Sequence, residues 1–457
     1  MRLAQILAGT DAWVVGGTVR DDLLGRTTTD VDVAVVGDPE RAARAVAAVV
    51  GGPVFRLSEA FGAWRVIERA SGRVYDFSPL QGETIGQDLG LRDFTVNAMA
   101  RPLGGGELID PFGGRHDLAG RTLRVLGRHT YQRDPLRALR LARFVAELGF
   151  TADAETERLT AEAAGRVPQA AAERVFAELR RLVLAPGALA GVELADRLGL
   201  VRSVLPEVAA LHGIEQSRYH HRDVYGHTIE VLERQIELEA RLDDFDPRLG
   251  AALAEPLADE LTRLQAIRFG ALLHDIGKPA TRAVRPDGRI TFIGHDRLGA
   301  GMVRAVCRRL RTSDRLSRFL EGLTRHHLRL GFLVHERPLD RRAVYRYLKA
   351  AAPVEVEVTL LSCADRMATR GRHAERATRA HLDLAREVMR AALDWRECGP
   401  PRPPLRGDEL ARALGLRPGP ELGRLLAGLE EAAYAGEAST REDALREARR
   451  LRENSRP

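Results

Sequence analysis

The feature that most constrains the fold is a change in hydrophobic period partway along the chain. In the first part, short β-branched runs such as AWVVGG and VDVAVV end in turn residues and predict strands, while residues 39–50 predict a helix. From Asp134 onward, apolar residues recur at three- and four-residue spacing, as in DPLRALRLARFVAEL. The sequence therefore predicts a small α/β domain followed by an all-α remainder.

The chain is too long for one hydrophobic core, because 457 residues exceed the size at which single cores stop growing. A histidine-rich stretch follows the first helices, and the Pro/Gly-rich segment CGPPRPPLRG then precedes a charged helical end. No fixed-period repeat is evident, which argues against a solenoid. The predicted domains are residues 1–125, 126–215, 216–395 and 396–457.

Composition indicates a globular intracellular protein. Hydrophobic residues make up 44% and charged residues 29%. Cys307, Cys363 and Cys398 are far apart and show no paired metal-ligand spacing, so we expect a reducing cytoplasm. The chain has no leader-like start and no run of about 18 apolar residues, so we expect no membrane partner. The net charge of +6 permits an anionic partner without identifying one.

The first chemically informative segment is VVGGTVRDDLLGRTTTDVDVAVV. Gly16 and Gly17 precede a helix whose first amides can bind a phosphate. Asp30 and Asp32 alternate on a strand and therefore share one face, where two carboxylates suit Mg²⁺ and two-metal phosphoryl transfer. Asp76, in VYDFS, is a candidate third carboxylate. Taken singly, the Gly-Gly turn and the D-x-D pattern also fit an ordinary surface turn.

Two further segments carry polar side chains that suit a nucleotide. RDFTVNAMA contains Arg92, Asp93 and Asn97, which can address a triphosphate and sugar hydroxyls. RDPLRALRLARF places three arginines at successive three-residue spacings, so a helix presents them as one basic ridge. A solvated face of an amphipathic helix shows the same spacing. These arginines are Arg137, Arg140 and Arg143.

Together and in this order, GGTVRDDLLG…DVD, RDFTVNAMA…DPFGG and DPLRALRLARF resemble the class II tRNA nucleotidyltransferase and bacterial poly(A) polymerase family. The resemblance implies a polymerase-β-like nucleotidyltransferase palm followed by a helical neck, body and tail. It implies that Asp30 and Asp32 bind Mg²⁺, and that Asp134 and Arg137 read the base edge. It assigns the remaining nucleotide contacts to Gly16, Gly17, Arg20, Arg92, Asp93, Asn97, Arg140 and Arg143.

The function implied by this resemblance is addition of CMP and AMP, from CTP and ATP, to the 3′ end of tRNA or another RNA without a template. Two departures bear on base selection. Arg133 stands where many members have an acidic residue, and YDFSPLQGETIGQDLGL is shorter than the flexible loop of many CCA-adding members. Full CCA addition, CC addition, A addition and polyadenylation all remain open.

A second set of motifs, GHTIEV, LLHDIGK, GHDRLGAG, RHHLRL and SCADRM, concentrates histidines and aspartates. The adjacent pair His274-Asp275 is the informative element, because neighbouring side chains on a helix diverge by only about 100° and can reach one metal cluster. His227 and Asp365 can close that cluster from other helices. Mixed imidazole and carboxylate ligands suit Mn, Fe, Ni or Zn ions, whose bound water is a hydrolytic nucleophile.

LLHDIGKP resembles the signature of HD-superfamily phosphohydrolases, and the H…HD…H…H…D order resembles the intact form. The resemblance implies phosphatase or cyclic-phosphodiesterase activity, with a transition metal or Mg²⁺. Two rival functions therefore stay open: hydrolysis as the main activity, or RNA binding without chemistry. The implied ligands are His227, His274, Asp275, His295, His326 and Asp365. The candidates for supporting or phosphate-contact roles are His220, His221, His327 and Asp296.

Overall fold

The computed structural model describes residues 2–58, 62–216, 222–370 and 374–454. The chain divides into two compact units, Met1–Val204 and Leu205–Pro457. The first unit contains the predicted sheet and the first group of predicted helices. The second unit is almost entirely helical, so the predicted α/β domain followed by helices is confirmed.

The first unit is built on a six-stranded sheet with the strand order β3-β4-β5-β2-β1-β6. Strands β2 and β5 are parallel, and every other pair in this sheet is antiparallel. The strands are β1 (Ala12–Val15), β2 (Asp30–Val35), β3 (Val54–Ser58), β4 (Ala63–Ile67), β5 (Val74–Pro79) and β6 (Ala100–Pro102).

Side chains alternate between the two faces of β2, so its buried residues fall into two separate core clusters. Val33 and Val35 belong to a core cluster with Val46, which lies on the helix that spans Pro39–Val50. Ala34 lies on the other face, in a second cluster that includes Leu89. Because the side-chain period of a strand is two, Asp30 and Asp32 share the face of Ala34.

The first helices of this unit alternate with the strands of the sheet along the chain, and the later helices follow it. Helix α7 packs against α8, α9 and α10, and its sequence carries the predicted basic ridge. The helices are α1 (Arg2–Ile6), α2 (Gly17–Leu23), α3 (Pro39–Val50), α4 (Ile85–Leu89), α5 (Gly114–Ala119), α6 (Arg128–Arg133), α7 (Arg137–Leu148), α8 (Ala154–Ala163), α9 (Ala172–Leu184), α10 (Ala188–Arg197) and α11 (Leu200–Val204). Short 3₁₀ helices span Thr95–Asn97 and Ala164–Gln169, and β7 (Thr122–Leu123) pairs with β8 (Thr151–Ala152).

The second unit begins with helices that bring the histidine motifs together. Helices α13, α15, α18 and α21 pack on one another. A Cβ at Gly270 would lie 2.5 Å from Leu323 Cδ1, so this glycine permits the close approach of α15 and α18. The helices up to this point are α12 (Pro206–Ala209), α13 (Val224–Glu239), α14 (Leu249–Ala254), α15 (Arg263–Leu273), α16 (Lys278–Thr281), α17 (His295–Arg309), α18 (Asp314–His326), α19 (Arg329–Leu333), α20 (Arg341–Ala351) and α21 (Glu355–Met367).

The last part of the second unit has a small core of its own, in which Leu410, Leu429 and Ala444 are fully buried. Its helix α24 packs on α20. These last helices are α22 (Ala374–Cys398), α23 (Gly407–Leu414), α24 (Pro420–Ala435) and α25 (Arg441–Glu453). The remaining elements are 3₁₀ helices at Leu242–Asp244 and Val334–Glu336 and the strand pairs β9 (Pro256–Ala258) with β10 (Leu261–Thr262) and β11 (Ala283–Val284) with β12 (Ile290–Thr291).

No helix within the described ranges is long and apolar enough to cross a bilayer.

Candidate active site and candidate metal centre

The carboxylates of Asp30 and Asp32, in the DVD motif, line a cavity of about 720 Å³ in the first unit. Burial raises the pKa of Asp32, and the charges of Asp76 and Asp30 raise it further, while Arg92 lowers it. Several negative charges therefore gather in a partly desolvated place, and a divalent cation would offset their repulsion. This carboxylate donor set fits Mg²⁺, which is usually bound by one or two carboxylates together with substrate phosphates.

Asp76 lies beside this pair, directly opposite Asp32 in the parallel register of β2 and β5. Its carboxylate is held by Arg65 of β4, whose Nε and Nη2 donate to Oδ1 and Oδ2, both at 2.7 Å. Asp76 is not among the residues that line the cavity. The structure thus brings Asp76 next to Asp32 but gives its oxygens a different partner.

The Gly-Gly turn lies where a side chain would block the site. Gly16 has a φ of 69°, and a Cβ there would lie 2.6 Å from Arg92 Nη1 and 3.6 Å from Asp32 Oδ2. Thr18 Oγ1 donates to the Asp30 carbonyl at 3.1 Å and accepts the Asp32 amide at 3.0 Å. The start of α2, which includes Gly17, is thereby fixed against β2.

A buried hydrogen-bond chain connects α2, the RDFTVNAMA segment and α7. Arg20 Nη1 donates to Asn97 Oδ1 at 2.7 Å, and Asn97 Nδ2 donates to Asp93 Oδ1 at 2.8 Å. Arg140 Nη2 lies 2.7 Å from Asp93 Oδ2. Burial raises the pKa of Asp93, but Arg140 and the Asn97 hydrogen bond outweigh burial, so the net pKa is lowered. Asp93 is therefore ionised, and it contacts Arg140 directly and Arg20 through Asn97.

The predicted basic ridge on α7 faces the cavity rather than solvent. Arg137, Arg140 and Arg143 all line it. Arg137 Nη1 also donates to the Arg92 carbonyl at 3.1 Å. Arg143 is buried, and its guanidinium pairs with Glu147 at 2.7 Å and Glu178 at 2.5 Å. The structure therefore gives Arg143 two carboxylate partners within the protein.

Asp134, the residue expected to read the base, immediately follows α6 and lines the same cavity, as does its exposed neighbour Arg133. Sequence reasoning missed the residues that hold the site together. Arg174 Nη2 donates to Asp134 Oδ2 at 2.6 Å across 40 positions, a separation that no local pattern reveals. Arg92 donates to Asp88 four positions earlier in the chain, a short separation at which the pair could have been expected. The other missed partners are Asp21, Arg65 and Arg181.

In the second unit, six side chains form two adjacent groups that could each hold a metal ion. In each group, one ligand atom per residue lies within 4.8 Å of the others. The first group is His227, His274 and Asp365, and the second is Asp275, His295 and His327.

Backbone carbonyls orient three of these histidines. Nδ1 of His274, His295 and His327 lies 2.7–2.8 Å from the carbonyl three residues earlier in each case. A carbonyl can only accept, so each of these Nδ1 atoms carries the proton and Nε2 keeps its lone pair for a metal. The orientation therefore suits metal binding at Nε2.

Asp275 lies at the centre of this cluster. His274 Nε2 and both Asp275 carboxylate oxygens are buried and lack a hydrogen bond of good geometry within the described part of the chain. Lys278 Nζ lies 2.6 Å from Asp275 Oδ2, and His295 Nε2 lies 3.3 Å from Oδ1. Burial raises the pKa of Asp275, but His274 and Lys278 outweigh it and hold the pKa well below its ordinary value. This buried set of imidazoles and carboxylates fits a transition metal.

The structure corrects the choice between the two adjacent histidines of RHHLRL. His327 lies in the second group of ligands, whereas Nδ1 of the half-buried His326 accepts a hydrogen bond from Arg329 Nε at 2.8 Å. Neighbouring side chains on a helix diverge by about 100°, so only one of the two faces the cluster. Burial lowers the pKa of His327 to about 4, which leaves it neutral and able to bind a metal.

The other candidates for supporting roles are Asp296, His220 and His221. Asp296, the second residue of α17, is half-buried, and its charge acts on His326. His220 and His221 lie outside the described residues. Lys278, which sequence reasoning passed over, is the charged side chain in direct contact with Asp275.

Family models match three successive parts of the chain. Residues 12–124 match the poly A polymerase head domain, and residues 149–211 match the probable RNA and SrmB-binding site of polymerase A. Residues 224–370 match the HD domain. Asp30 and Asp32 therefore fall within the part that matches the head domain, and the histidine cluster falls within the part that matches the HD domain.

Several relatives match nearly the whole length of the chain. The A-adding tRNA nucleotidyltransferase of Deinococcus radiodurans is 38% identical over 95% of this chain and 94% of its own length. The CC-adding tRNA nucleotidyltransferase of Thermus thermophilus is 36% identical over 95% and 92%. A Thermotoga maritima CCA-adding enzyme, solved in complex with tRNA, shares the fold with a TM-score of 0.63 at 21% identity, over 98% of this chain and 94% of that one. The chain therefore belongs to the tRNA nucleotidyltransferase family, with a poly(A) polymerase head domain and an HD domain on one polypeptide.

Proposed function

We propose that this protein adds CMP and AMP, from CTP and ATP, to the 3′ end of tRNA without a nucleic-acid template. The observation that carries the proposal is the convergence of three motifs on one cavity: the carboxylates Asp30 and Asp32, the Gly16-Gly17 turn, and the pair Asp134 and Arg137. The unpaired cysteines favour the cytoplasm as the place of action.

Each group has a distinct task in this reaction. Asp30 and Asp32 would hold Mg²⁺, which when bound activates the attacking hydroxyl and stabilises the leaving pyrophosphate. Arg92 and the start of α2 both line the cavity, and we assign the triphosphate to the Arg92 guanidinium and the first amides of this helix. The buried chain through Asp93 and Asn97 keeps Arg20 and Arg140 in place.

Base selection rests on donor and acceptor chemistry. The Asp134 carboxylate can only accept hydrogen bonds, so it favours the exocyclic amines that C and A carry and U lacks. The Arg137 guanidinium donates to ring nitrogen and carbonyl acceptors. This pairing favours C and A over U through protein side chains, without a template strand.

The test is incorporation of labelled CTP and ATP into tRNA lacking its CCA end and into tRNA ending in CC, with Mg²⁺ present. We expect incorporation by the wild type, none by Asp32→Ala, and normal incorporation by the control Asp22→Ala, whose exposed carboxylate pairs with Arg101 outside the cavity. Product length distinguishes CCA, CC, A and poly(A) addition. A wild-type protein that adds no nucleotide to either tRNA would refute the proposal.

A second activity is favoured by the two ligand groups in the HD domain. We propose that this cluster holds Mn, Fe, Ni or Zn ions, or Mg²⁺, and hydrolyses phosphate esters. A metal ion bound there supplies an activated water, while the Nδ1–H···O=C hydrogen bonds of His274, His295 and His327 hold the imidazoles in register.

The two activities can be separated by one substitution. His274→Ala should abolish metal-dependent hydrolysis of p-nitrophenyl phosphate or its bis-ester and leave nucleotide addition intact. Loss of both activities in a folded His274→Ala protein would mean that the two sites do not act independently. Absence of hydrolysis by the wild type with every metal tried would contradict the second activity.

A further inference from the structure

A second cavity, of about 330 Å³, adjoins the catalytic cavity in the first unit. The turn that connects α2 to β2 forms one wall, and Glu147 and Arg181 contribute to the other. Arg20, Asp21, Thr28 and Arg181 line both cavities, so the two share an edge. Gly16 and Arg92 line only the larger one.

Local backbone geometry sets the turn close to the catalytic carboxylates. Gly25 has a φ of 67°, which lets the chain reverse after α2, and the Arg26 amide donates to the Asp21 carbonyl at 2.8 Å. Thr28 Oγ1 donates to the Asp30 carbonyl at 3.0 Å, and the Asp30 amide donates to Thr28 Oγ1 at 3.1 Å. The turn that lines the smaller cavity therefore continues along the chain directly into Asp30.

The smaller cavity has an excess of positive charge. Arg26 is exposed, and its Nη1 donates a 3.4 Å hydrogen bond to the Glu147 carbonyl. No carboxylate pairs with Arg26 among the residues the structure describes. Arg181 is half exposed and shares Glu147 with the buried Arg143. A guanidinium that lacks a carboxylate partner and lines a polar cavity is suited to bind a phosphate.

The chemistry of nucleotidyl transfer indicates which phosphate. In an in-line displacement, the attacking hydroxyl and the leaving pyrophosphate lie on opposite sides of the reacting phosphorus. The residues assigned to the triphosphate, Gly16 and Arg92, line only the larger cavity, so the RNA strand enters from the edge that both cavities share. The phosphodiester groups just behind the 3′ hydroxyl then fall in the smaller cavity.

We propose that the smaller cavity binds the phosphodiester backbone at the 3′ end of the acceptor RNA, through the guanidinium groups of Arg26 and Arg181 and the hydroxyl of Thr27. This inference rests on the proposed nucleotidyl transfer, since it assigns the position of the strand that attacks. The contacts are to phosphates, so they fix the strand without reading its bases.

The first test is Arg26→Ala against Arg41→Ala, an exposed arginine of α3 that lines neither cavity. Arg26→Ala should weaken tRNA binding about tenfold and lower the slope of log affinity against log salt by about one, as expected for loss of one phosphate contact. The KM for CTP and ATP should not change. Arg41→Ala should leave all three quantities at wild-type values.

The second test uses tRNA with a neutral methylphosphonate at the last internucleotide linkages. This primer should bind the wild type more weakly than the natural one, and the penalty should be smaller in Arg26→Ala, because one of the charge contacts to the phosphates is already lost. Unchanged tRNA affinity in Arg26→Ala, a parallel rise in the KM for CTP, or an equal penalty in both proteins would overturn the inference. The affinity for tRNA is measured without nucleotide addition, so the two proposals can fail separately. A wild type that binds tRNA but adds no nucleotide would refute the proposed function, while the effect of Arg26→Ala on tRNA affinity would still test this site.

Discussion

Arg174 on α9 holds Asp134 by one carboxylate oxygen at 2.6 Å, while the other oxygen accepts the Leu136 amide at 3.1 Å. The residue proposed to read the base is thus fixed at both oxygens, and each oxygen keeps a lone pair for the nucleotide. We predict that Arg174→Ala changes the ratio of kcat/KM for CTP and ATP by about tenfold, because a half-exposed charge-assisted hydrogen bond contributes about 1.4 kcal/mol to orientation. Steady-state kinetics with each nucleotide measure this ratio.

The matched control is Arg166→Ala, an exposed arginine in the 3₁₀ helix that precedes α9. It should leave the ratio unchanged. An Arg174→Ala protein that loses stability but keeps wild-type selectivity would show that Arg174 supports the fold without orienting Asp134.

Asp76 provides a second prediction, because its oxygens are held by Arg65 and not directed to the cavity. We predict that Asp32→Asn lowers kcat by about 10³-fold, equivalent to about 4 kcal/mol, whereas Asp76→Asn lowers it by less than about tenfold. The control is Asp22→Asn, on α2, which should be close to wild type. Equal losses for Asp32→Asn and Asp76→Asn would identify Asp76 as a third metal ligand instead.

The sequence predicts the strands of the first unit and the shared face of Asp30 and Asp32 because both follow from local alternation. It does not predict that Asp32 lies opposite Asp76, since the parallel pairing of β2 with β5 depends on contacts between distant segments. The Asp134–Arg174 pair, 40 positions apart, is hidden for the same reason. Local periodicity identifies the elements, and tertiary packing decides which of their side chains meet.

The histidine cluster shows the same limit at shorter range. Motif order identifies His227, His274, Asp275, His295 and Asp365, and the structure brings all five together. For the adjacent pair, the sequence indicates His326, whereas the structure groups His327 with the other ligands, because this choice depends on how the last turn of α18 ends. His327 caps this helix and directs Nδ1 back to the Thr324 carbonyl, which turns Nε2 toward the cluster.

A third prediction follows from this geometry. His327→Ala should reduce the metal bound per chain and the rate of phosphate-ester hydrolysis, because it removes an Nε2 ligand. His326→Ala should retain the metal and most of the hydrolytic rate. Elemental analysis of purified proteins measures the metal content, and nucleotide addition serves as an internal check on folding. The reverse pattern, with metal lost from His326→Ala alone, would contradict the assignment.

A fourth prediction concerns the stability of the second unit. Glu357 is fully buried and accepts from Arg396 at both oxygens, each at 2.8 Å, and from Arg263 Nε at 2.5 Å. Burial raises the pKa of Glu357, but these arginines outweigh burial and lower it below the ordinary 4.5. Because the folded pKa is depressed, the stabilisation is complete above about pH 4.5 and is lost as the pH falls through the folded pKa.

Glu357→Gln should therefore lower the free energy of unfolding by about 3–5 kcal/mol at pH 7, since it removes the carboxylate that two largely buried guanidinium groups share, although Arg396 keeps its contact with Glu355. Urea unfolding followed by circular dichroism measures the effect, and the difference from wild type should shrink in acid below pH 4.5. The control Glu397→Gln, on an exposed carboxylate 3.2 Å from Arg248, should cost no more than about 1 kcal/mol. If the two variants were equally stable at pH 7, or if the Glu357→Gln deficit grew in acid, the buried ion pairs would not stabilise this unit as their geometry indicates.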